Sequence, residues 1–276
     1  MDKDVLVVIG VGGMGLAIAR RLGGGKQLLL ADFNQATLEA AAEQLRGEGH
    51  DVTTSAVDVS DRAAVAALAD QASGLGRVVQ VAHTAGVSPV QASVEAIIGV
   101  DLLGVAYVLD EFVRVIAPGG AGLIISSMAG SMAADGIPLD MAKALSLTPT
   151  EELAALPFAT PEALGEPGAA YSIAKRANQL RVQAAAGAWG ARGARVNSIS
   201  PGVVSTPMGQ EELTGESGTS MRAMVAASGT GRVGTPDDIA AAAAFLLGPE
   251  STFITGTDLL VDGGVVAAVR WSMPTA

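Results

Sequence analysis

Two periodicities alternate along the chain. Short, nearly continuous apolar runs recur at Val5–Ile9, Leu28–Ala31, Val52–Val57, Val78–Ala82, Gly122–Ser126, Ala194–Ile199 and Asp258–Val261. Between them lie Leu16–Leu22, Gln35–Leu45, Arg62–Ala72, Ala96–Ile116, Ala170–Trp189 and Asp237–Leu247, where apolar residues return every third or fourth position. The runs predict strands buried on both faces, and the longer stretches predict amphipathic helices. Strand and helix in strict alternation predict an α/β fold: a Rossmann-type, doubly wound parallel sheet of about seven strands, with helices on both faces. Such a sheet binds its ligands beyond the carboxyl ends of its strands.

Helix starts are also written locally. Thr235-Pro236-Asp237-Asp238 combines a capping Thr, Pro at the first helical position and acids in the first turn. Thr148-Pro149-Thr150-Glu151 reads as a capping box with the same Pro placement, and Thr160-Pro161 as a further start. No linker-like segment or charge block divides the 276 residues, so a single domain over 1–276 is expected.

Composition narrows the function. Apolar residues make up 49% of the chain, which suits a packed sheet and excludes a disordered polymer. A net charge of −11 opposes phosphate backbones, so no nucleic-acid partner is expected. Cysteine is absent, and His50 and His83 are far apart, so neither a disulfide framework nor a metal site is expected. The start, M-D-K-D-V-L-V-V-I-G, lacks the basic region of a signal peptide, and the apolar run Ile239–Leu247 is too short to span a bilayer. The expectation is a cytoplasmic protein with no membrane partner.

The candidate chemistry begins where the first strand runs into I-G-V-G-G-M-G-L. Gly10, Gly12 and Gly15 match G-x-G-x-x-G, with Gly13 and Met14 inside the same loop. Glycines there let backbone N–H groups and a helix N-terminus approach a pyrophosphate closely. The second strand ends in Asp32, 22 residues after Gly10. A carboxylate at that place accepts from both adenosine ribose hydroxyls and repels a 2′-phosphate, so NAD is expected over NADP. A simpler role for Asp32 is to cap the next helix. Farther on, Y-S-I-A-K places Tyr171 four residues before Lys175, on one helical face. An ammonium beside a phenol lowers the phenol's pKa and makes it a usable acid or base.

Together these pieces resemble the short-chain dehydrogenase/reductase family over almost the whole chain. A-V-D-V-S-D, with Asp58 and Val59, resembles the family's adenine-contacting turn. A-H-T-A-G-V, containing Ala85 and Gly86, stands where the family has N-N-A-G. I-I-S-S-M-A-G resembles the strand that carries the catalytic serine, with Ser127 and Gly130 as S-x-x-G. R-V-N-S-I-S-P-G-V-V-S-T-P-M, with Val204 and Thr206, resembles the segment that closes over the nicotinamide, and G-R-V-G-T-P-D-D-I-A and F-I-T-G-T-D-L-L-V-D-G-G complete the C-terminal pattern. The resemblance implies a Ser127–Tyr171–Lys175 site in which Ser127 orients the substrate oxygen, Tyr171 handles the proton and Lys175 also bonds the nicotinamide ribose. It further implies an NAD(H)-dependent oxidoreductase that interconverts a secondary alcohol and a ketone, built as a homodimer or homotetramer.

The chain also departs from the family. Its glycine loop is one residue short of the usual T-G-x-x-x-G-x-G and lacks the Thr. Asp101 replaces the helix Asn that completes a proton relay to the lysine; it can accept from a relay water or pair with Lys175 and change its field on Tyr171. His83 and Thr84 replace two asparagines, and His83 is expected to be a structural hydrogen-bonder. Between Ser127 and Tyr171 lie 171 − 127 = 44 positions, against about a dozen in the family, so an insertion over about 131–167 is expected. Its Leu139, Met141, Leu145, Leu147, Leu153, Leu156 and Phe158 give it apolar faces.

A similar insertion occurs in bacterial 3α-hydroxysteroid dehydrogenase/carbonyl reductase, the subgroup this pattern resembles best. That resemblance implies a bulky apolar, steroid-like alcohol as substrate, and an insertion that remodels the subunit interface toward a dimer, walls a hydrophobic substrate pocket, or does both. The polar, Gly-rich segment 208–231 is the expected substrate lid. Two rival functions stay open: an NAD-binding scaffold or redox sensor with lapsed catalysis, and epimerase- or dehydratase-type chemistry on the same Tyr/Lys pair.

Overall fold

The computed structural model describes residues 3–215 and 218–271. Its elements follow the alternation of the sequence. β1 (Asp4–Ile9), α1 (Gly13–Leu22), β2 (Gln27–Asp32), α2 (Gln35–Gly47), β3 (Asp51–Ala56), α3 (Arg62–Leu75) and β4 (Arg77–His83) form the first half. Next come α4 (Val94–Ile97), a π-helical segment (Ile98–Gly104), α5 (Val105–Phe112), β5 (Ile116–Ile125) and α6 (Met128–Ala133). α7 (Leu139–Leu147), a 3-10 turn (Thr150–Ala155) and α8 (Pro161–Leu164) lead into α9 (Pro167–Ala191) and β6 (Arg195–Pro201). The chain closes with α10 (Pro207–Thr214), α11 (Gly218–Ala227), α12 (Pro236–Leu247), β7 (Asp258–Val261) and α13 (Val265–Trp271).

All seven strands are parallel, in the order β3-β2-β1-β4-β5-β6-β7. This is the expected doubly wound α/β sheet. Sequence order reverses between β1 and β4, and the crevice at that switch point is where such sheets hold ligands. Val5, Leu6, Val7 and Val8 of β1 are completely buried because helices cover both faces. One face carries Ile18, Leu38 and Ile239 from α1, α2 and α12. The other carries Leu68, Phe112 and Trp189 from α3, α5 and α9.

Several expectations need correction. The helix expected over Ala96–Ile116 is interrupted by the π segment and ends at Phe112, and Ile116 already opens β5. The stretch packs against Val59: a Cβ on Gly104 would lie 2.9 Å from Val59 Cγ2 and 3.1 Å from its carbonyl oxygen. Thr148-Pro149-Thr150-Glu151 is not a capping box. Thr148 instead ends α7, Pro149 precedes a 3-10 turn with no side-chain cap, and the buried Thr150 hydroxyl donates to Asp110 Oδ2 at 2.6 Å and accepts from Arg181 at 2.8 Å. Thr235 caps α12 as expected and, with Asp238, completes a capping box, and Thr160 caps α8 through the Ala163 N–H.

The insertion is a helical layer packed on α9 and the π segment. Arg181, deep in α9, donates to the carbonyls of Leu145 at 3.3 Å and Thr148 at 3.0 Å and so ties the layer down. Leu145 and Leu153 are buried, while Leu139 and Leu147 face outward. The expected lid is largely helical, as α10 and α11; its Glu216 and Ser217 lie outside the described residues. Among the described residues no helix is long and apolar enough to cross a membrane.

Candidate active site

The carboxyl ends of β1, β4 and β5 open onto one crevice, and the chemistry-bearing residues collect around it. At the end of β1 the chain turns through Gly10, whose φ of +88° suits glycine. The turn is tight: a Cβ on Gly10 would run into the Ala85 N–H, and one on Gly15 into the Gly10 carbonyl. The N–H groups of Thr84 and Ala85 both bond the Ile9 carbonyl, at 2.7 and 2.9 Å, and the Thr84 hydroxyl donates to the Gly10 carbonyl at 2.6 Å. Thr84 therefore splints the two loops together, a role compatible with losing the family's asparagine. Gly12 caps α1, and a Cβ there would meet nothing within 4 Å, which leaves open ground over the helix N-terminus. Gly13 faces Thr206 across this ground, 3.0 Å from its methyl when given a Cβ, and Met14 packs from α1 onto the core.

Asp32 ends β2 beside this loop. Its carboxylate accepts from the Val11 N–H and the Asn34 N–H, each at 2.8 Å, so it braces the glycine loop. It does not cap α2; Asn34 does, through the Thr37 N–H. The Val57 N–H bonds the Asp32 carbonyl at 3.0 Å, which brings the following turn alongside. There Asp58 accepts from the N–H and hydroxyl of Ser60, at 2.9 and 2.6 Å, and Val59 is buried under the π segment. Val204 is buried and paired with Gly234, and Thr206 caps α10 through the Gly209 N–H at 3.0 Å. These groups surround one seat at the carboxyl ends of the strands, and they are the residues that could hold a dinucleotide.

The reactive group stands at the inner end of this seat. α9 carries Tyr171 and Lys175 on one face, with the ammonium 5.3 Å from the phenol ring centre. Ser127 caps α6, accepting from the Ala129 N–H at 3.2 Å, and its hydroxyl acts on the Tyr171 phenol to draw its pKa down. The S-x-x-G spacing has a packing cause. Gly130 sits where α6 crosses α9, and a Cβ there would come 2.7 Å from the Lys175 carbonyl carbon. Ser126 points away and donates to the Lys175 carbonyl at 2.7 Å, so the two serines divide into a brace and a site group.

Behind Tyr171 lies a buried ion pair. Lys175 Nζ donates to Asp101 Oδ1 at 2.7 Å, and Asp101 Oδ2 accepts from the Val87 N–H at 3.2 Å. Asp101 is fully buried and Lys175 is 4% exposed, so solvent screens neither. Gly86 makes the arrangement possible: a Cβ there would lie 2.6 Å from Asp101 Oδ1 and 3.1 Å from Lys175 Nζ. Burial pushes the Asp101 carboxyl up, and Lys175 and the Val87 N–H draw it back. For Lys175, burial works downward, but Asp101 and Tyr171 outweigh it and hold the ammonium above its ordinary range. Burial pushes the Tyr171 phenol up; Lys175 pulls it down, and Asp101 and Glu212 push it up again.

Two site features were misread or unseen in the sequence. His83 is not a hydrogen-bonder: it is fully buried, and neither ring nitrogen has a partner. Burial, with Lys175 nearby, lowers its pKa to about 3, so it stays neutral. The sequence also gave no sign of the contacts that hold α10 over the crevice. Ser88 donates to Glu212 Oε1 at 2.5 Å, and Gln91 donates to Glu211. Nothing in the local pattern could pair residues more than a hundred positions apart. The polar E-E pair, Glu211-Glu212, inside the expected lid was the available signal.

Comparison with known proteins gives the family. The model described as "short chain dehydrogenase" matches residues 3–140, and "Enoyl-(Acyl carrier protein) reductase" matches residues 156–266. The stretch between the two matches falls inside the insertion. The chain is 40% identical over 267 residues to "Short-chain dehydrogenase/reductase bsc3" of Alternaria brassicicola, covering 97% of each. It is 30% identical to the D-threitol dehydrogenase of Mycolicibacterium smegmatis, covering 96% of this chain and 93% of that one. It is 33% identical to the 3-alpha-hydroxysteroid dehydrogenase/carbonyl reductase of Comamonas testosteroni, over 67% of this chain and 72% of that one. Among solved structures, a short-chain dehydrogenase/reductase from Serratia marcescens BCRC 10948 superposes with a TM-score of 0.72 at 25% identity, covering 96% of this chain and 98% of that one.

Proposed function

This chain belongs to the short-chain dehydrogenase/reductase family of oxidoreductases, which bind a nicotinamide cofactor, and from that premise we propose that it interconverts a secondary alcohol and a ketone with NAD(H). The observation that carries the proposal is the convergence of Ser127, Tyr171 and Lys175 at the inner end of a seat that begins at Gly10–Gly15 and Asp32. When bound, the cofactor supplies the hydride acceptor or donor. The chain's own residues do the rest. The Ser127 hydroxyl orients the substrate oxygen. Tyr171 takes the proton in oxidation and gives it in reduction. Lys175 sits beside the phenol and faces the cofactor ribose.

NAD is preferred because Asp32 offers a carboxylate where a 2′-phosphate would lie. The glycine loop is shorter than the family's, and its backbone N–H groups with the α1 terminus hold the pyrophosphate. Asp58 and Val59 hold the adenine, Ala85 and Gly86 line the floor, and Val204 and Thr206 approach the nicotinamide. We read the whole chain as one catalytic domain, with the insertion as a wall and α10–α11 as the lid.

The substrate reading favours a bulky apolar alcohol. Tyr171 packs in one cluster with Met141, Leu156, Phe158 and Leu164 of the insertion, which makes that side of the pocket apolar. The relatives' names include both a steroid and a polyol dehydrogenase, so substrate does not transfer by similarity alone. A homo-oligomer is the expected assembly. The insertion covers part of α9, and the edge strand β7 exposes Leu259 and Leu260 to a second copy.

The test is NADH formation at 340 nm from a panel of secondary alcohols, hydroxysteroids included, with NAD⁺ and NADP⁺ in parallel. Turnover with NAD⁺, reduced about 10²-fold or more in Tyr171→Phe, supports the proposal. Preference for NADP⁺ overturns the role of Asp32. Full turnover in Tyr171→Phe overturns the site.

A further inference from the structure

We propose that Asp101 is a positioning residue that neutralises Lys175 and thereby keeps Tyr171 a protonated phenol at neutral pH, tuning the site to donate a proton to a carbonyl. The inference rests on the proposed Ser127–Tyr171–Lys175 site and adds a setting of its charge.

The geometry carries it. An ammonium alone near a phenol stabilises the phenolate strongly when both are out of water. Here the ammonium is not alone. A carboxylate oxygen lies 2.7 Å from it, completely buried, with its second oxygen fixed by a backbone N–H. From Tyr171, whose ring centre is 5.3 Å from Nζ, the pair presents a short dipole in place of a full positive charge. Three structural choices serve this pairing. The π segment carries Asp101 into contact with α9, Gly86 leaves room for both side chains, and the Val87 N–H locks the carboxylate. π-helical turns of this kind often accompany functional residues.

No other charge replaces the lost field. Glu212, on α10, is the further charged group acting on Tyr171, and it too favours the neutral phenol. His83, at the end of β4 and against Lys175, stays neutral. The ionisable side chains of α4, α7 and α8 (Glu95, Asp140, Lys143 and Glu162) are exposed to solvent. The consequence is directional. Reduction needs the phenol, which is present throughout the neutral range. Oxidation needs the phenolate, so its rate climbs into the alkaline range until the phenol ionises.

The chain has two tyrosines, so Tyr107→Phe leaves Tyr171 as the single phenol to titrate. Phenolate absorbance would be followed against pH in Tyr107→Phe and in Tyr107→Phe/Asp101→Asn. The expected result is ionisation at or above about pH 10 with Asp101 present, and a midpoint at least ~1 pH unit lower with Asn. The alkaline limb of carbonyl reduction should move down by the same amount. Ionisation below about pH 9 in the parent overturns the proposal even if the Asn variant fails to fold. An unchanged or raised midpoint in a folded Asn variant also overturns it. Because the titration needs no substrate, it is independent of the turnover test: loss of activity in Tyr171→Phe with an unmoved titration keeps the site and rejects this role for Asp101.

Discussion

The floor of the crevice and α10, its proposed lid, are held by opposite means. The floor joins α9, α6 and the π segment through a buried ion pair, close glycine crossings and a backbone brace from Ser126. The lid, α10, is held by the bonds of Glu211 and Glu212 to Gln91 and Ser88 and by a small apolar cluster around Leu213 and Val225. A low-dielectric floor holds charges in one geometry, which proton transfer requires. A lid with partly exposed polar ties can open at little cost, which substrate entry and product release require.

The comparison predicts unequal sensitivities. The largest effect is expected for Gly86→Ala. The added methyl would press on Asp101 and Lys175 together, both buried and bonded to each other, and turnover should fall by about 10²-fold. If kcat/KM changes less than twofold, the floor is more pliant than its packing implies.

A second effect is on stability. His83 is held neutral, with its pKa lowered from 6.5 to about 3, so the unfolded chain takes up its proton first as pH falls. Its share of stability is therefore complete above about pH 6.5 and is lost progressively toward about pH 3, at up to ~1.4 kcal/mol per unit. Denaturant unfolding at pH 7 and pH 5 should show a loss in the wild type that is smaller in His83→Leu by roughly 2 kcal/mol. An identical pH dependence in the two proteins would place His83 in a wetter setting.

The smallest effect belongs to the lid. Gln91→Ala removes an exposed tie, worth under about 1 kcal/mol, and should change KM by no more than a few-fold with kcat and melting temperature nearly constant. A loss comparable to that of Gly86→Ala would erase the distinction between floor and lid.

The sequence by itself determined the layers, the order of elements and the identity of the groups at the crevice. Buried parallel strands must be apolar, helices between them must be amphipathic, and a turn that passes close to backbone must be glycine. Those demands are local and leave a periodic trace. Hence the strands, the helices and the glycine turn at Gly10 could be named from one dimension, while Ser127, Tyr171 and Lys175 were singled out by the resemblance to a family and by motif spacing. Tertiary structure alone decided which of Asp101's two options is realised, because its pairing with Lys175 depends on a π turn and on the bare backbone of Gly86. It alone made Thr148 the end of α7, its carbonyl held by Arg181, in place of a helix N-cap, and left His83 without a partner. Each of these outcomes is set by what lies across the packing interface, and the side chains that meet there are separated by tens of residues in the chain.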